Sequence, residues 1–432
     1  MNDDVLARLR RLGVVKGARN LRPPSFVPAP ISRSTTEDFP DRERDESGPQ
    51  ALEVLLPGGR VVECADGACF VIDRVYSPDH RHGPDRLAEL LRHRPAAAAP
   101  YAQDSRLEAL DFRDFLFLDT ETTGLAGAGT LAFMVGVAFF ERRADGREAF
   151  VVRQYFLRDH GDERGMLRQL DDLLAERAGL ITFNGRSFDV PLLDTRHLIN
   201  RLPSPLNGLP HIDLLLPARR LYRARLGSCA LSALEQNLLG LRRTQTDVPG
   251  ALIPALYYQY LRTGDARELS RVFYHNEMDM LSMVTLAARI FGQLDASRSD
   301  DPLDQVSLAR WQADLGWHDR AEETLRAALD GDIPFEAYHA ALHRLAALYK
   351  ATGRRDEAVV VWQQIAHTST DDVSAHVELA KHYEWRAANA AEALAWTERA
   401  LALVERWMPT PSSRLTRSEL AYRRERLVRK QT

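Results

Sequence analysis

The stretch from Phe115 to Leu125, FLFLDTETTGL, constrains this chain more than any other. Four apolar residues, Phe115 to Leu118, run straight into Asp119, and Glu121 follows two positions later. An aromatic-rich apolar run of this length predicts a short buried strand. Strand side chains alternate faces, so a strand that continues through Glu121 sets two carboxylates side by side. Thr122, Thr123 and Gly124 then break the strand and turn the chain. Like charges held close need neutralising, and a divalent cation does this directly. A bare Asp-x-Glu also fits a strand end with solvated acids. Two acidic motifs downstream shift the balance.

The second motif is NGRSFDVPLL, with Asn184 at a strand end and Asp189 near a helix start, where it could merely cap that helix. The third, YHNEMDMLSMVTL, places Asp279 in an apolar helix beside Met280, Leu281, Val284 and Leu286. A charge there is costly unless paired or metal-bound. Hard divalent cations prefer oxygen ligands, and four carboxylates suit two ions, Mg²⁺ or Mn²⁺. Two such ions about 3.5–4 Å apart stabilise both the attacking water and the leaving oxygen of a phosphoryl displacement. His275 or Tyr274 can orient or deprotonate that water. On a helix, His275 lies about 40° round from Asp279 and Tyr274 about 140° away. That favours His275 if the segment is helical there, and decides nothing if the helix starts after Asn276.

The 432 residues allow two or three domains. Residues 1–50 read as a flexible segment: a short basic helix over 1–17, then a Pro-rich linker. Residues 51–104 read as a small β-meander and linker, with strands EVLL, RVVEC and CFVIDRVY separated by Pro57-Gly58-Gly59 and Asp66-Gly67. Residues 105–295 form the α/β part. Strands at 115–118, 131–141 and 150–157 make an antiparallel meander. A helix (166–177), a strand (180–183), a helix (190–201) and a short strand (211–216) follow. Helices near 230–239, 255–263, 266–272 and 276–291 complete a mixed sheet flanked by helices.

Residues 303–408 are helical and repetitive. Gly316 and Ala321 recur as Gly353 and Ala358, 37 residues on, and a weaker third copy has Ala393, 35 after Ala358. This period, with small residues at the helix crossing, predicts tetratricopeptide-type hairpins, a scaffold suited to a protein partner. Residues 409–432 are a basic tail, read as a capping helix.

The net charge of −4 excludes a bulk polyanion binder, so any nucleic-acid surface must be local. Arginine supplies nearly all basic charge, so arginine clusters carry little weight alone. Three cysteines fit a reducing cytosol, and no apolar run reaches membrane-helix length; a cytoplasmic location and no membrane contact are expected. Cys64 and Cys69 flank a hairpin turn rather than build a zinc site, and His80 and His82 read as surface loop residues.

DTETTGL, NGRSFD and the third-motif aspartate resemble the three motifs of the DEDD superfamily of 3′–5′ exonucleases, on the ribonuclease-H-like fold. HIDLLLPARRLY, SCALSALEQNLLG and YHNEMDMLSMVTL more narrowly resemble the YprB family of RNase-H-like proteins with tetratricopeptide repeats. The resemblance implies that Asp119, Glu121, Asp189 and Asp279 bind metal. It departs in the third motif, where Tyr274 takes the spacing expected for His and His275 the spacing expected for Tyr. The general base and retention of activity are thereby open. Asp213 reads as a structural strand-end residue. The implied function is metal-dependent 3′–5′ hydrolysis of single-stranded DNA or RNA ends. The alternative is a non-cutting nucleic-acid-binding and interaction module. Thr122, Asn184, Arg186 and Phe188 are candidates for substrate contact. Arg186, Arg219, Arg220, Arg223 and Arg225 could line a groove with Phe188 or Tyr222 stacking on a base, although exposed helix-face charges are the simpler reading in so arginine-rich a chain.

Overall fold

A computed structural model describes residues 48–124, 129–244, 247–296, 299–408 and 410–431. The helix and linker expected up to residue 47, and Leu125 of the first motif, lie outside the described residues. A single helical turn, α1 (Leu52–Leu55), precedes β1 (Arg60–Cys64) and β2 (Gly67–Tyr76). EVLL is therefore helical and not a strand. Three apolar residues are too few to show a period, and here the neighbouring Leu52 is buried while Val54 faces solvent. A two-residue hairpin, β3 (Arg81–His82) and β4 (Asp85–Arg86), and a one-turn helix, α2 (Ala99–Ala102), lead to the central elements.

These are β5 (Phe115–Thr122), β6 (Ala132–Arg142), β7 (Glu148–Phe156), α3 (Glu163–Ala175), β8 (Gly179–Thr182), α4 (Asp189–Ile199), β9 (His211–Asp213), α5 (Leu215–Leu226), α6 (Leu231–Asn237), α7 (Ile253–Thr263) and α8 (Leu269–Ala296). One seven-stranded sheet runs β1-β2-β7-β6-β5-β8-β9. β5, β6 and β7 form the antiparallel meander, while β8 and β9 run parallel to β5, giving the mixed sheet. β1 and β2 do not stand apart: β2 pairs along β7 and extends the sheet.

Both faces are covered, which is why β5 and β6 read as unbroken apolar runs. Leu116 and Leu118 enter one core, with α3 and α7; Phe115 and Phe117 enter the other, with α5 and α8. Each of these four side chains is fully buried, worth about 1.5–3 kcal/mol apiece. The two helices expected at 266–272 and 276–291 are one continuous 28-residue helix, α8. His82 is buried, not a surface residue: its Nε2 meets the Ser282 hydroxyl of α8 at 2.8 Å. A lone histidine carries no periodic signal, so its burial has no mark in the sequence.

The remainder is helical: α9 (Pro302–Asp314), α10 (His318–Leu329), α11 (Phe335–Ala351), α12 (Arg355–Thr368), α13 (Val373–Trp385), α14 (Ala390–Glu405) and α15 (Pro411–Arg429). α9–α14 make three successive hairpins, with Ala321, Ala358 and Ala393 fully buried where helices cross. Gly316 and Gly353 turn the first two at φ +80° and +82°; in the third copy Ala388 takes that place at φ +49°. α15 closes the array: Arg423, Arg426 and Lys430 converge on the buried carboxylate of Glu384. α9 docks on α5, with Arg225 bonding Asp304 at 2.6 Å and Trp311 entering the sheet-face core.

Candidate active site

The alternation of β5 sends Asp119 and Glu121 to the side of Phe117, under α8. α8 answers with Asn276, whose Nδ2 donates to Asp119 Oδ2 at 3.1 Å. Space for that amide comes from Gly136, which pairs with Asp119 across β6. A Cβ on Gly136 would lie 2.0 Å from Asn276 Oδ1. Gln154 of β7 then locks the amide, donating to Asn276 Oδ1 (3.0 Å) and to the Phe273 carbonyl (2.8 Å). The single glycine interrupting LAFMVGVAFF is the mark that this arrangement leaves in the sequence.

Asp189 opens α4 as its first helical residue, and Phe188, not Asp189, occupies the capping position. The Asp189 carboxylate accepts the Thr120 hydroxyl at 2.5 Å. The loop before it, with Asn184 at φ +67°, is held by Asp213, which accepts the backbone N–H groups of Asn184 (2.8 Å) and Arg186 (3.1 Å). Asp213 is thus a strand-end scaffold for the second motif.

Asp279 comes from α8 and is bonded by the guanidinium of Arg243. Arg243 also bonds Glu235 of α6 at 2.7 Å. Because α8 is unbroken, His275 sits one turn before Asp279, with Nε2 3.7 Å from its carboxylate. The other ring nitrogen meets Asp247 at 2.8 Å, which fixes the ring. The Tyr274 hydroxyl instead accepts from Thr244 at 3.2 Å and, among the described residues, bonds none of the four carboxylates. Arg243, Glu235, Asp247, Asn276 and Gln154 were missed from sequence. An arginine in an arginine-rich chain carries no signal, and the acids gain meaning only when the chain folds back.

The four carboxylates share one electrostatic neighbourhood. Burial pushes Asp119 and Glu121 far above the usual carboxylate range, and the charges of Asp189 and Asp279 push them further. Burial raises Asp189 to about 6. Burial raises Asp279 too, against the opposing charges of Arg243 and His275. Burial alone would pull the Arg243 guanidinium down, but its bonds to Glu235 and the charge of Asp279 carry it upward. Among the described residues, no three acidic, histidine or cysteine side chains converge closely enough to close a coordination sphere. The donor set still fits a hard divalent cation: buried carboxylate oxygens, short of positive charge, of which Asp119, Glu121 and Asp189 have no cationic bonding partner among the described residues.

A cleft of about 860 Å³ exposes Asp119 and Asp189 and is walled by Thr122, Asn184 and the half-exposed ring of Phe188. A second, of about 760 Å³, opens on Asp279, His275, Arg243 and Asp247. The proposed stacking role of Tyr222 is corrected: its ring is fully buried in the core. Arg220 and Arg225 are likewise engaged with Asp314 and Asp304 of α9.

A profile of the RNase H superfamily, RNase_H_2, matches residues 116–291, a span that contains all four carboxylates. YprB of Bacillus subtilis (strain 168) is 31% identical over 350 residues, covering 78% of this chain and 81% of its own. The chain belongs to the YprB family. Strands β5–β9 and α8 are accordingly the RNase H-like part of a YprB-family protein, and the helical array follows it in the chain. The family B DNA polymerase of the archaeon Pyrobaculum calidifontis is 17% identical, with a TM-score of 0.32, covering 54% of this chain. The chain spans 29% of that polymerase's length.

Proposed function

We propose that this YprB-family chain is a metal-dependent nuclease that removes nucleotides from the 3′ end of single-stranded nucleic acid. The observation that carries this is the group of buried carboxylates Asp119, Glu121 and Asp189, without a cationic bonding partner among the described residues, of which Asp119 and Asp189 line an open cleft. Asp119, Glu121, Asp189 and Asp279 would hold two Mg²⁺ or Mn²⁺ ions. When bound, these ions would supply a nucleophilic water and neutralise the leaving oxygen. Asn276 holds the Asp119 carboxylate in one orientation, and Thr120 does the same for Asp189. His275, whose Nδ1 meets Asp247, would take the proton from the attacking water at Nε2. Phe188 offers a face for the terminal base, while Thr122 and Asn184 line the path of the strand.

Arg243 favours a second reading. With its guanidinium on Asp279, the fourth carboxylate is already neutralised, as a protein that binds strands without cutting them would require. Incubating 5′-labelled single-stranded DNA and RNA with Mg²⁺ or Mn²⁺ separates the two. The nuclease yields a ladder shortening from the 3′ end, lost in Asp119→Ala and on chelation. Strand binding with no cleavage in either metal assigns the chain to the second reading.

A further inference from the structure

Beside the carboxylate cleft lies a smaller pocket of about 230 Å³, between α2, β9 and the start of α5. It shares Asn184 and Ser187 with the cleft, so the two openings adjoin. Two guanidinium groups line it, Arg186 and Arg219. Arg186 gives one N–H to the His211 carbonyl at 2.7 Å, and Arg219, an exposed side chain, has no side-chain partner among the described residues. The pocket's one carboxylate, Asp213, is already engaged by the backbone N–H groups of Asn184, Arg186 and Leu215. The 12-residue helix α5 adds the partial positive charge of its N-terminal end.

A fourth group points to a ligand. The Tyr101 hydroxyl is buried and has no hydrogen-bond partner among the described residues. Its ring is held against Trp311 of α9 at 5.0 Å between centroids, and Arg186 and Asp213 are the charges that act on it. A buried hydroxyl left unpaired is costly, and an acceptor brought by a ligand would satisfy it.

We propose that this pocket is a subsite for a backbone phosphate of the strand whose end occupies the carboxylate cleft. The inference rests on the nucleic-acid reading above and deepens it. A phosphodiester presents acceptor oxygens and one negative charge, matching two guanidinium forks and a hydroxyl donor. Such a contact fixes strand position without reading sequence. Tyr101, Arg186 and Arg219 are therefore positioning residues for the strand.

The test is fluorescence anisotropy of a labelled single-stranded 12-mer, DNA and RNA, on the full chain carrying Asp119→Asn to prevent cutting. Adding Arg219→Gln should weaken binding of every sequence by a similar, several-fold factor. It should also reduce the slope of log affinity against log salt by about one. Adding Tyr101→Phe should weaken binding without changing that slope, and Arg399→Gln, on the distant array, should change neither. Competition by a dinucleotide but not by a nucleoside monophosphate identifies a backbone phosphate rather than a free one. Unaltered affinity and slope in Arg219→Gln overturns the subsite while leaving the nuclease reading standing. Failure of both the Asp119→Asn chain and the unsubstituted chain with Mg²⁺ to bind any strand overturns both.

Discussion

At Asp279 the chain provides its own cation. The Arg243 guanidinium bonds this carboxylate and Glu235, and Glu235 also accepts the Ser282 hydroxyl at 2.6 Å. Ser282 in turn meets His82, so a chain of polar contacts runs from β3 to the site. Burial, with a smaller push from the charges of His80 and Arg243, lowers the His82 ring to about 4, against an ordinary value of 6.5. The sign follows from the buried neutral form: His82 stabilises the fold above the unfolded value, and that contribution is lost as pH falls through about 4. A shift of this size is worth roughly 3 kcal/mol. Thermal unfolding of the wild type and His82→Gln between pH 7 and pH 4 checks it. The wild type should lose stability relative to the variant as the solution is acidified. Parallel curves would show that His82 is not buried neutral.

At the scale of elements, the site depends on β5, β6, β7 and α8 meeting around one missing side chain. Gly136→Ala places a methyl group where the Asn276 amide sits. An overpacked core of this kind costs typically 1–3 kcal/mol. The amide must also leave Asp119, so chemical denaturation should show the stability loss together with at least a tenfold fall in nuclease rate. A stable but inactive variant would indicate that Asn276 positions Asp119 without supporting the core. The first motif was legible because strand alternation alone pairs Asp119 with Glu121. The third was legible as an acid in an apolar helix, but the helix start was not. Ala266 to Asn276 contains Arg267, Glu268, Arg271 and His275, polar enough to imply a break. Packing of Val272 and Phe273 into the core overrides that local signal and carries α8 through His275. That continuity decides which of the adjacent Tyr274 and His275 faces the carboxylates.

Across the whole molecule, the helical array is joined to the RNase H-like part through α9. Asp304 is almost fully buried and paired with Arg225, and Trp311 fills the same core as Phe112 and Phe291 of the sheet side. The repeats were legible from Gly316, Gly353 and the buried alanines, because a recurring turn fixes a period. Their docking was not, since Asp304 and Trp311 read as ordinary residues of an amphipathic helix. The RNase H-like assignment was legible for the same reason as the first motif: order and spacing of acids survive where contacts do not. Arg243 was invisible because its partners lie on α6 and α8 and in the segment between.

Whether the four carboxylates form a divalent-cation site is tested without nucleic acid by calorimetric titration of Mn²⁺ into the full chain at pH 7.5. The wild type should bind Mn²⁺ saturably, Asp119→Asn should lose that binding, and Arg243→Gln, where Asp279 is released, should bind more tightly. No saturable binding by the wild type, or identical titrations for the wild type and Asp119→Asn, would contradict such a site.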